Sequence, residues 1–156
     1  MGFDSIEPYL RYADRGVFLL CRTSNAGGSD LQAQTLASGD KLYEHVAKLA
    51  AGPWRRHGQV GLVVGATFPQ ELARVRELAP TLPLLVPGVG AQGGDAAAVV
   101  AAAHRTGAPV VVNSSRAVLY AAHDAGFAAA ARQAALAARA ELNAAAAVLP
   151  RAASPA

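Results

Sequence analysis

The sequence is poor in cysteine: Cys21 is the only one among its 156 residues. A single cysteine cannot form an internal disulfide, so the chain lacks the disulfide framework that indicates a small secreted domain. Because Cys21 stands inside an apolar run, we expect it to be a buried thiol with a packing role.

Long hydrophobic runs are also lacking. No stretch approaches about 18 uninterrupted large apolar residues, the length that would indicate a membrane-spanning helix. The first residues, Met1-Gly2-Phe3, lead into an acidic helix start and not into the basic segment of a secretion signal. We therefore expect a cytoplasmic protein that does not bind a membrane.

Charged residues are few, at 16% of the chain, and the formal net charge is only +3. The arginines occur singly along the sequence, which is typical of solvated helix faces and does not predict a nucleic-acid-binding surface. Hydrophobic residues make up 53% of the chain. This composition indicates a globular domain and excludes a disordered one.

Four short apolar runs stand out, and none of them alternates apolar with polar residues. Continuous runs of this kind are typical of strands buried on both faces, as in a parallel sheet covered by helices. Each run is followed by a Gly- or Ser-rich loop and then by a helical pattern. The predicted strands are residues 17–22, 60–65, 83–87 and 109–113.

Helix signals precede the first run and follow every run. A capping box is predicted at residues 4–7, and Thr67 and Asp95 are predicted N-caps. The sequence ends in a long helical pattern and a frayed tail. The predicted helices are residues 4–16, 40 to about 51, 67 to beyond 78, 95–107 and 124–149.

The order of these elements is a helix followed by four strand–helix units, which predicts an α/β fold with a parallel sheet. A complete (β/α)8 TIM barrel usually needs about 250 residues. Four units therefore indicate half of such a barrel, with the first helix as the end of a missing fourth unit. We expect residues 1–149 to form this C-terminal half-barrel, units five to eight, and residues 150–156 to be a flexible tail. A doubly wound four-stranded domain is the competing interpretation, although no G-x-G-x-x-G follows the first strand.

Two loops carry the chemistry expected of a phosphate site. In TIM barrels phosphate commonly lies in the loops after strands 7 and 8, which here are residues 87–95 and 113–116. The first loop is rich in glycine, so its backbone can approach a ligand closely. The second places Arg116 behind two serines, before a short helical turn whose N-terminus favours an anion. Either loop alone is weak evidence, and the pair in these two positions predicts a phosphate site.

Several loops, in order, resemble one family. The segments PGVGAQGGD at 87–95, NSSRAVLYA at 113–121 and RTSNAG at 22–27 resemble the phosphate-gripping loop, the last strand-loop and the pyrimidine-contacting loop of orotidine 5′-phosphate decarboxylases. The segments VGLVVGAT at 60–67 and LYE at 42–44 are similar to the longer bacterial branch of that family. The resemblance runs from about Asp4 to Ala122, most of the chain.

The resemblance implies roles at the pyrimidine end of a substrate site. Ser24 would hydrogen-bond the pyrimidine ring, and Pro87 and Val89 would line the apolar side of the base. Without the resemblance, Ser24 would be interpreted as a turn or N-cap serine and Pro87 as packing at a strand end.

It also implies roles at the phosphate end. Gln92 would close over the phosphate, Arg116 would bind it directly, and the backbone N–H of Ser115 would add a donor. The alternative interpretation of Gln92 is a solvated loop amide.

The family's reaction converts orotidine 5′-phosphate to UMP and CO2 in de novo pyrimidine synthesis, without a metal or organic cofactor. The resemblance implies that this reaction depends on a lysine–aspartate array on the second and third strands, which stabilises developing carbanion charge. No Asp-x-Lys-x-x-Asp occurs in the sequence, and its only lysines are Lys41 and Lys48 on a predicted helix. We therefore expect binding loops but no catalytic residue in this chain.

Alternatives remain open at this point. The chain could be part of a decarboxylase, another phosphate-binding barrel enzyme such as a sugar-phosphate aldolase or epimerase, or a non-catalytic phosphate- or nucleotide-binding half-barrel. Expected partners are orotidine 5′-phosphate or UMP and either a second copy or a missing N-terminal half. The four histidines lack metal-ligand spacing, and Ser114 and Ser115 have no local partner that would activate a nucleophile.

Overall fold

A computed structural model of the chain describes residues 2–90, 94–104 and 107–149. In this part of the chain, four strands alternate with helices. The strands are β1 (Gly16–Arg22), β2 (Gln59–Val64), β3 (Leu84–Pro87) and β4 (Val110–Asn113). The α-helices are α1 (Glu7–Leu10), α2 (Gly28–Gln32), α3 (Leu42–Ala51), α4 (Pro69–Leu78), α5 (Ala96–Ala103), α6 (Ser115–Leu119) and α7 (Phe127–Ala147), and short 3-10 turns span Phe3–Ser5 and Trp54–His57.

The four strands form one parallel sheet in the order β1-β2-β3-β4. The four predicted strand positions and their parallel pairing are confirmed, with strand ends within one residue of the expectation. Each strand lies beside the next one in sequence, as in a (β/α)8 barrel. A doubly wound sheet instead reverses its strand order at a switch point, so the competing interpretation is wrong.

Helices cover one face of this sheet. On the covered face, Leu62, Val64, Leu84 and Val86 are fully buried in the core. The other face carries apolar side chains that remain accessible: Leu20 is 61% exposed and lies in register across the sheet with Val63, Leu85 and Val111. The continuous apolar runs predicted strands buried on both faces. In this chain only the helix-covered face is buried, because the opposing side chains of a closed barrel are not part of it.

The first helix differs from its prediction. The Ser5 hydroxyl accepts a hydrogen bond from the Gly2 backbone N–H at 3.1 Å, so a 3-10 turn is capped before the expected position. Helix α1 follows, ends at Leu10 and does not reach Gly16. Glu7 does not close the predicted box and pairs with Arg11 at 2.8 Å.

Of the two predicted N-caps, the one of α5 is confirmed and the one of α4 is wrong. Asp95 caps α5, because its carboxylate accepts from the backbone N–H groups of Ala97 and Ala98. Phe68, and not Thr67, occupies the N-cap position of α4, and the Thr67 hydroxyl is buried without a hydrogen-bond partner among the described residues. Helix α7 is shorter than predicted at both ends, and residues 150–156 lie outside the described residues. Among the described residues, no helix is long and apolar enough to cross a membrane.

At the amino edge of the sheet, a buried arginine joins α4 to its neighbours. Arg76 is 1% exposed, and its guanidinium donates to the carbonyl oxygens of Ala103 and Leu82, each at 2.7 Å, and of Ala79 at 3.2 Å. Burial lowers the pKa of Arg76 to about 10. The side chain therefore stays charged at neutral pH, and backbone dipoles compensate that charge.

Candidate functional site

The loops after β1, β2 and β3 contact one another at the carboxyl edge of the sheet. The Gly65 N–H donates to the carbonyl of Arg22 at 2.7 Å, and the Ala66 N–H donates to the carbonyl of Pro87 at 2.9 Å. Gly65 also lies directly against Ser24, since a Cβ at position 65 would be 2.7 Å from the Ser24 Cβ. These contacts form a continuous rim that runs across the strand ends.

The glycine-rich loop after β3 folds back on itself. Gly88 and Gly90 have φ values of +98° and +80°, a region that glycine enters without steric cost. Backbone hydrogen bonds from Gly90 to Gly94 and from Gly94 to Gly88, at 3.1 and 3.2 Å, close the loop. The described part of this loop is therefore compact, and a close approach of its backbone to a ligand remains a prediction.

A side-chain hydrogen bond connects this loop to the loop after β4. The Ser114 hydroxyl donates to the Val89 carbonyl at 3.2 Å. Gly90 is also near, because a Cβ there would lie 4.0 Å from Ala117 in α6. The two segments predicted to hold phosphate are thus brought together, although 25 residues separate Val89 from Ser114.

Two of the predicted base-site residues occupy the edge itself. Ser24 is the second residue after β1 and is partly buried. Pro87 is the last residue of β3, pairs with Asn113, and alternates with the buried Val86. The Pro87 side chain therefore belongs to the face of the sheet that the helices leave uncovered.

Val89 lies deeper than the sequence indicates. Its side chain is 6% exposed and belongs to the hydrophobic core. It lines a cavity of about 310 Å³ beneath α7, together with Val112, Val118 and Leu142. A contact between Val89 and a base remains a prediction.

Two of the three predicted phosphate-end residues belong to α6. Ser115 and Arg116 are both exposed in the first turn of this five-residue helix. None of the ion pairs found among the described residues involves Arg116. Gln92 lies outside the described residues, so its role also remains a prediction.

Neither lysine of the chain belongs to a strand. Lys48 is in α3, and its ammonium group donates to both carboxylate oxygens of Asp40, at 2.6 and 2.8 Å. This hydrogen bond lowers the pKa of Asp40 below its usual value. Lys41 is the N-cap of α3 and precedes the helix on which it was predicted. Among the described residues, no group of three or more His, Cys, Asp or Glu side chains could hold a metal ion.

The sequence prediction missed Arg22, which is 1% exposed at the end of β1, and it missed α2. The signal that could have identified Arg22 was its position, because it is a charged residue at the end of a run that was otherwise predicted to be a buried strand. A buried arginine needs an acceptor, and Glu71 in the first turn of α4 is that acceptor.

Comparison with known proteins, by family and by individual relatives, points to one family. Residues 1–133 match the orotidine 5′-phosphate decarboxylase / HUMPS family. Over 153 residues the chain is 71% identical to the orotidine 5′-phosphate decarboxylase of Methylibium petroleiphilum, covering 93% of this chain and 55% of that protein. The chain spans about half the length of the curated relatives it matches.

Solved structures give the same result. The structure of Leishmania donovani OMP decarboxylase matches with a TM-score of 0.74 and 44% identity, over 92% of this chain and 54% of that one. The structure of Leishmania donovani UMP synthase matches with a TM-score of 0.77 and 48% identity, over 91% of this chain and 31% of that one. The chain therefore has the fold of about half of a decarboxylase TIM barrel.

Proposed function

Since the chain belongs to the orotidine 5′-phosphate decarboxylase / HUMPS family, we propose that it supplies the substrate-binding loops of an orotidine 5′-phosphate decarboxylase. This enzyme is a carboxy-lyase that converts orotidine 5′-phosphate to UMP and CO2 in de novo pyrimidine synthesis. The proposal includes a cytoplasmic location.

The observation that carries the proposal is the contact between the two phosphate-end loops. The hydrogen bond from Ser114 to the Val89 carbonyl holds the glycine-rich loop beside the start of α6. A phosphate placed between them would meet the Ser115 backbone N–H and the Arg116 guanidinium. An arginine fork matches phosphate oxygens in geometry and charge, so Arg116 would provide the strongest single contact.

Gln92 would complete the phosphate site as a neutral donor from the same glycine-rich loop. At the other end of the ligand, Ser24 would hydrogen-bond the pyrimidine. The uncovered-face side chain of Pro87, with Val89 behind it, would supply the apolar side of the base site. The rim of contacts from Ser24 through Gly65 to the loop after β3 supports this arrangement, because the loops that carry the proposed site residues contact one another at one edge of the sheet.

The chemistry would come from elsewhere in the complete enzyme. Phosphate binding alone does not lower the barrier to decarboxylation, which needs a proton donor and groups that stabilise the developing carbanion. We assign those groups to the part of the relatives that this chain does not cover. The accessible apolar face around Leu20 would then be the surface on which that part closes the barrel, and the whole enzyme would form a homodimer.

The test is to co-express this chain with the part of the Methylibium petroleiphilum relative that the alignment leaves uncovered. We call the resulting complex the completed barrel. We expect it to bind UMP in titration calorimetry and to consume the orotate chromophore of the substrate, while neither part alone does so. A completed barrel that assembles but binds uridine as tightly as UMP would refute the phosphate site.

A further inference from the structure

The end of β1 contains an irregularity that changes the direction of one side chain. Leu20 pairs with Val63, but the next pair is Arg22 with Val64, so the register shifts by one residue. Such a bulge re-aims the side chains that follow it. Without it, Arg22 would share the uncovered face with Leu20. With it, Arg22 is buried on the helix-covered side, as Cys21 is.

The Arg22 guanidinium contacts two separate helices from this position. Its Nε donates to the carboxylate of Glu71 in α4. Its terminal nitrogens donate to the Ser29 hydroxyl at 2.9 Å and to the Gln32 amide oxygen at 3.3 Å, both in α2. The group also lies 4.3 Å from the centre of the Phe68 ring. Arg22 thus connects α4 to the loop after β1.

Gln32 connects the Arg22 hydrogen bonds to Thr23, the residue next to Ser24. Its amide oxygen accepts from the Thr23 backbone N–H at 2.8 Å, and its amide nitrogen donates to the Thr23 hydroxyl at 2.9 Å. Arg22 also donates to the Thr23 carbonyl at 3.1 Å, so both backbone polar groups of Thr23 are held. The peptide group that joins Thr23 to Ser24 is therefore fixed from the Arg22 side.

We propose that Arg22 is a positioning residue that fixes the loop containing Ser24, so that Ser24 meets the pyrimidine in one geometry. The inference rests on the proposed function, in which Ser24 contacts the base. In the part of the chain that the structure describes, the Arg22 side chain donates to α2, to α4 and to Thr23, and none of these hydrogen bonds is to a phosphate-end loop. Arg22 therefore governs recognition of the base and leaves recognition of the phosphate unchanged.

The same protein offers a matched control for the general cost of removing a buried arginine. Arg76 is as deeply buried as Arg22, at 1% exposed, but its hydrogen bonds lie at the amino edge of the sheet. Arg22→Met and Arg76→Met remove the same group from opposite edges. A purely structural role for Arg22 would make the two variants behave alike towards ligands.

The experiment measures the affinity of the completed barrel for UMP and for ribose 5-phosphate by titration calorimetry. We expect Arg22→Met to weaken UMP binding by about tenfold to a hundredfold, the scale at which a misplacement of about 1 Å acts, with ribose 5-phosphate affinity unchanged. Arg76→Met should change neither affinity. Arg22→Lys keeps a cation beside Glu71 but cannot form the fork to α2, so it should lose UMP affinity to an intermediate extent.

A double variant separates positioning from stability. Removing Arg22 alone leaves the Glu71 carboxylate in a poorly solvated place, whereas Arg22→Met with Glu71→Leu replaces both partners by apolar groups and should recover much of the lost stability. We expect it not to recover UMP affinity. Recovery of both would overturn the inference, as would unchanged UMP binding in Arg22→Met. Failure of the unsubstituted completed barrel to bind UMP would instead overturn the proposed function.

Discussion

Gly65 packs directly against Ser24, with no room for a side chain between them. A Cβ at position 65 would lie 2.7 Å from the Ser24 Cβ and 2.8 Å from the Ser24 backbone nitrogen. The end of β2 therefore limits how far the loop after β1 can move. This relationship makes residue 65 a sensitive probe of the base end of the candidate site.

Gly65→Ala should displace Ser24 and weaken UMP binding by the completed barrel by about tenfold, because small misplacements of a contacting group are costly. Ribose 5-phosphate, which lacks the base, should bind unchanged. Gly16→Ala is the matched control, since a Cβ there meets its nearest neighbours at 3.6 Å, an ordinary contact. Equal UMP affinities in both variants would contradict a role for Ser24 at the base.

Arg116→Ala should weaken UMP binding sharply. A charge-assisted contact to phosphate is worth about 1.5–3 kcal/mol, which is more than tenfold in affinity. Gln92→Ala should cost less, because a neutral amide makes a weaker contact with an anion. Calorimetry with UMP and with uridine checks both expectations. Equal losses of affinity for uridine and for UMP in Arg116→Ala would contradict a contact between Arg116 and the phosphate.

Arg76→Met should reduce the free energy of unfolding by about 3 kcal/mol or more. The change leaves several buried carbonyl oxygens without donors, and each such group costs about 1–3 kcal/mol. Arg56→Met is the control, because Arg56 is exposed and surface changes are usually within about 0.5 kcal/mol. Urea unfolding of the two variants provides the measurement, and equal midpoints would show that the carbonyl contacts of Arg76 contribute little.

Leu20→Lys should have opposite effects on the isolated chain and on the completed barrel. In the isolated chain Leu20 is 61% exposed, so a charge there should reduce self-association through the apolar face. In the completed barrel the same position would be interior, and an unpaired charge there is costly. Light scattering of the isolated chain measures its self-association. Co-purification of the chain with the other part of the completed barrel measures assembly. A variant that still assembles normally would place Leu20 outside the closing surface.

Cys21 should resist thiol reagents until the protein unfolds. The side chain is 2% exposed, and burial raises the pKa of this thiol from 9.0 to about 12. The unfolded state therefore loses the proton first as pH rises from about 9 towards 12, and this group destabilises the folded state over that window. Cys21→Ala should make the loss of stability with rising pH less steep. Rapid labelling of native Cys21 at neutral pH would contradict its burial.

Particular elements show how far local sequence information reached. The four strands were predictable because runs such as residues 60–64 combine β-branched and apolar residues over a strand's length, a property of neighbouring positions. Asp95 was predictable as a cap for the same reason, since the backbone N–H groups that donate to its carboxylate lie two and three residues away. Thr67 was not, because a cap also needs its backbone geometry, and Phe68 occupies that position.

The sequence by itself determined the order of the units, the parallel sheet and the composition of the loops, and the ligand proposed for those loops rests on their resemblance to one family. Tertiary structure decided which groups meet. Arg22 finds its carboxylate 49 residues away, and the Ser114 hydroxyl finds the Val89 carbonyl 25 residues away. Such pairs depend on strand register and on a one-residue bulge, which local patterns do not encode. The same bulge buries Arg22 among the helices instead of leaving it on the uncovered face beside Leu20.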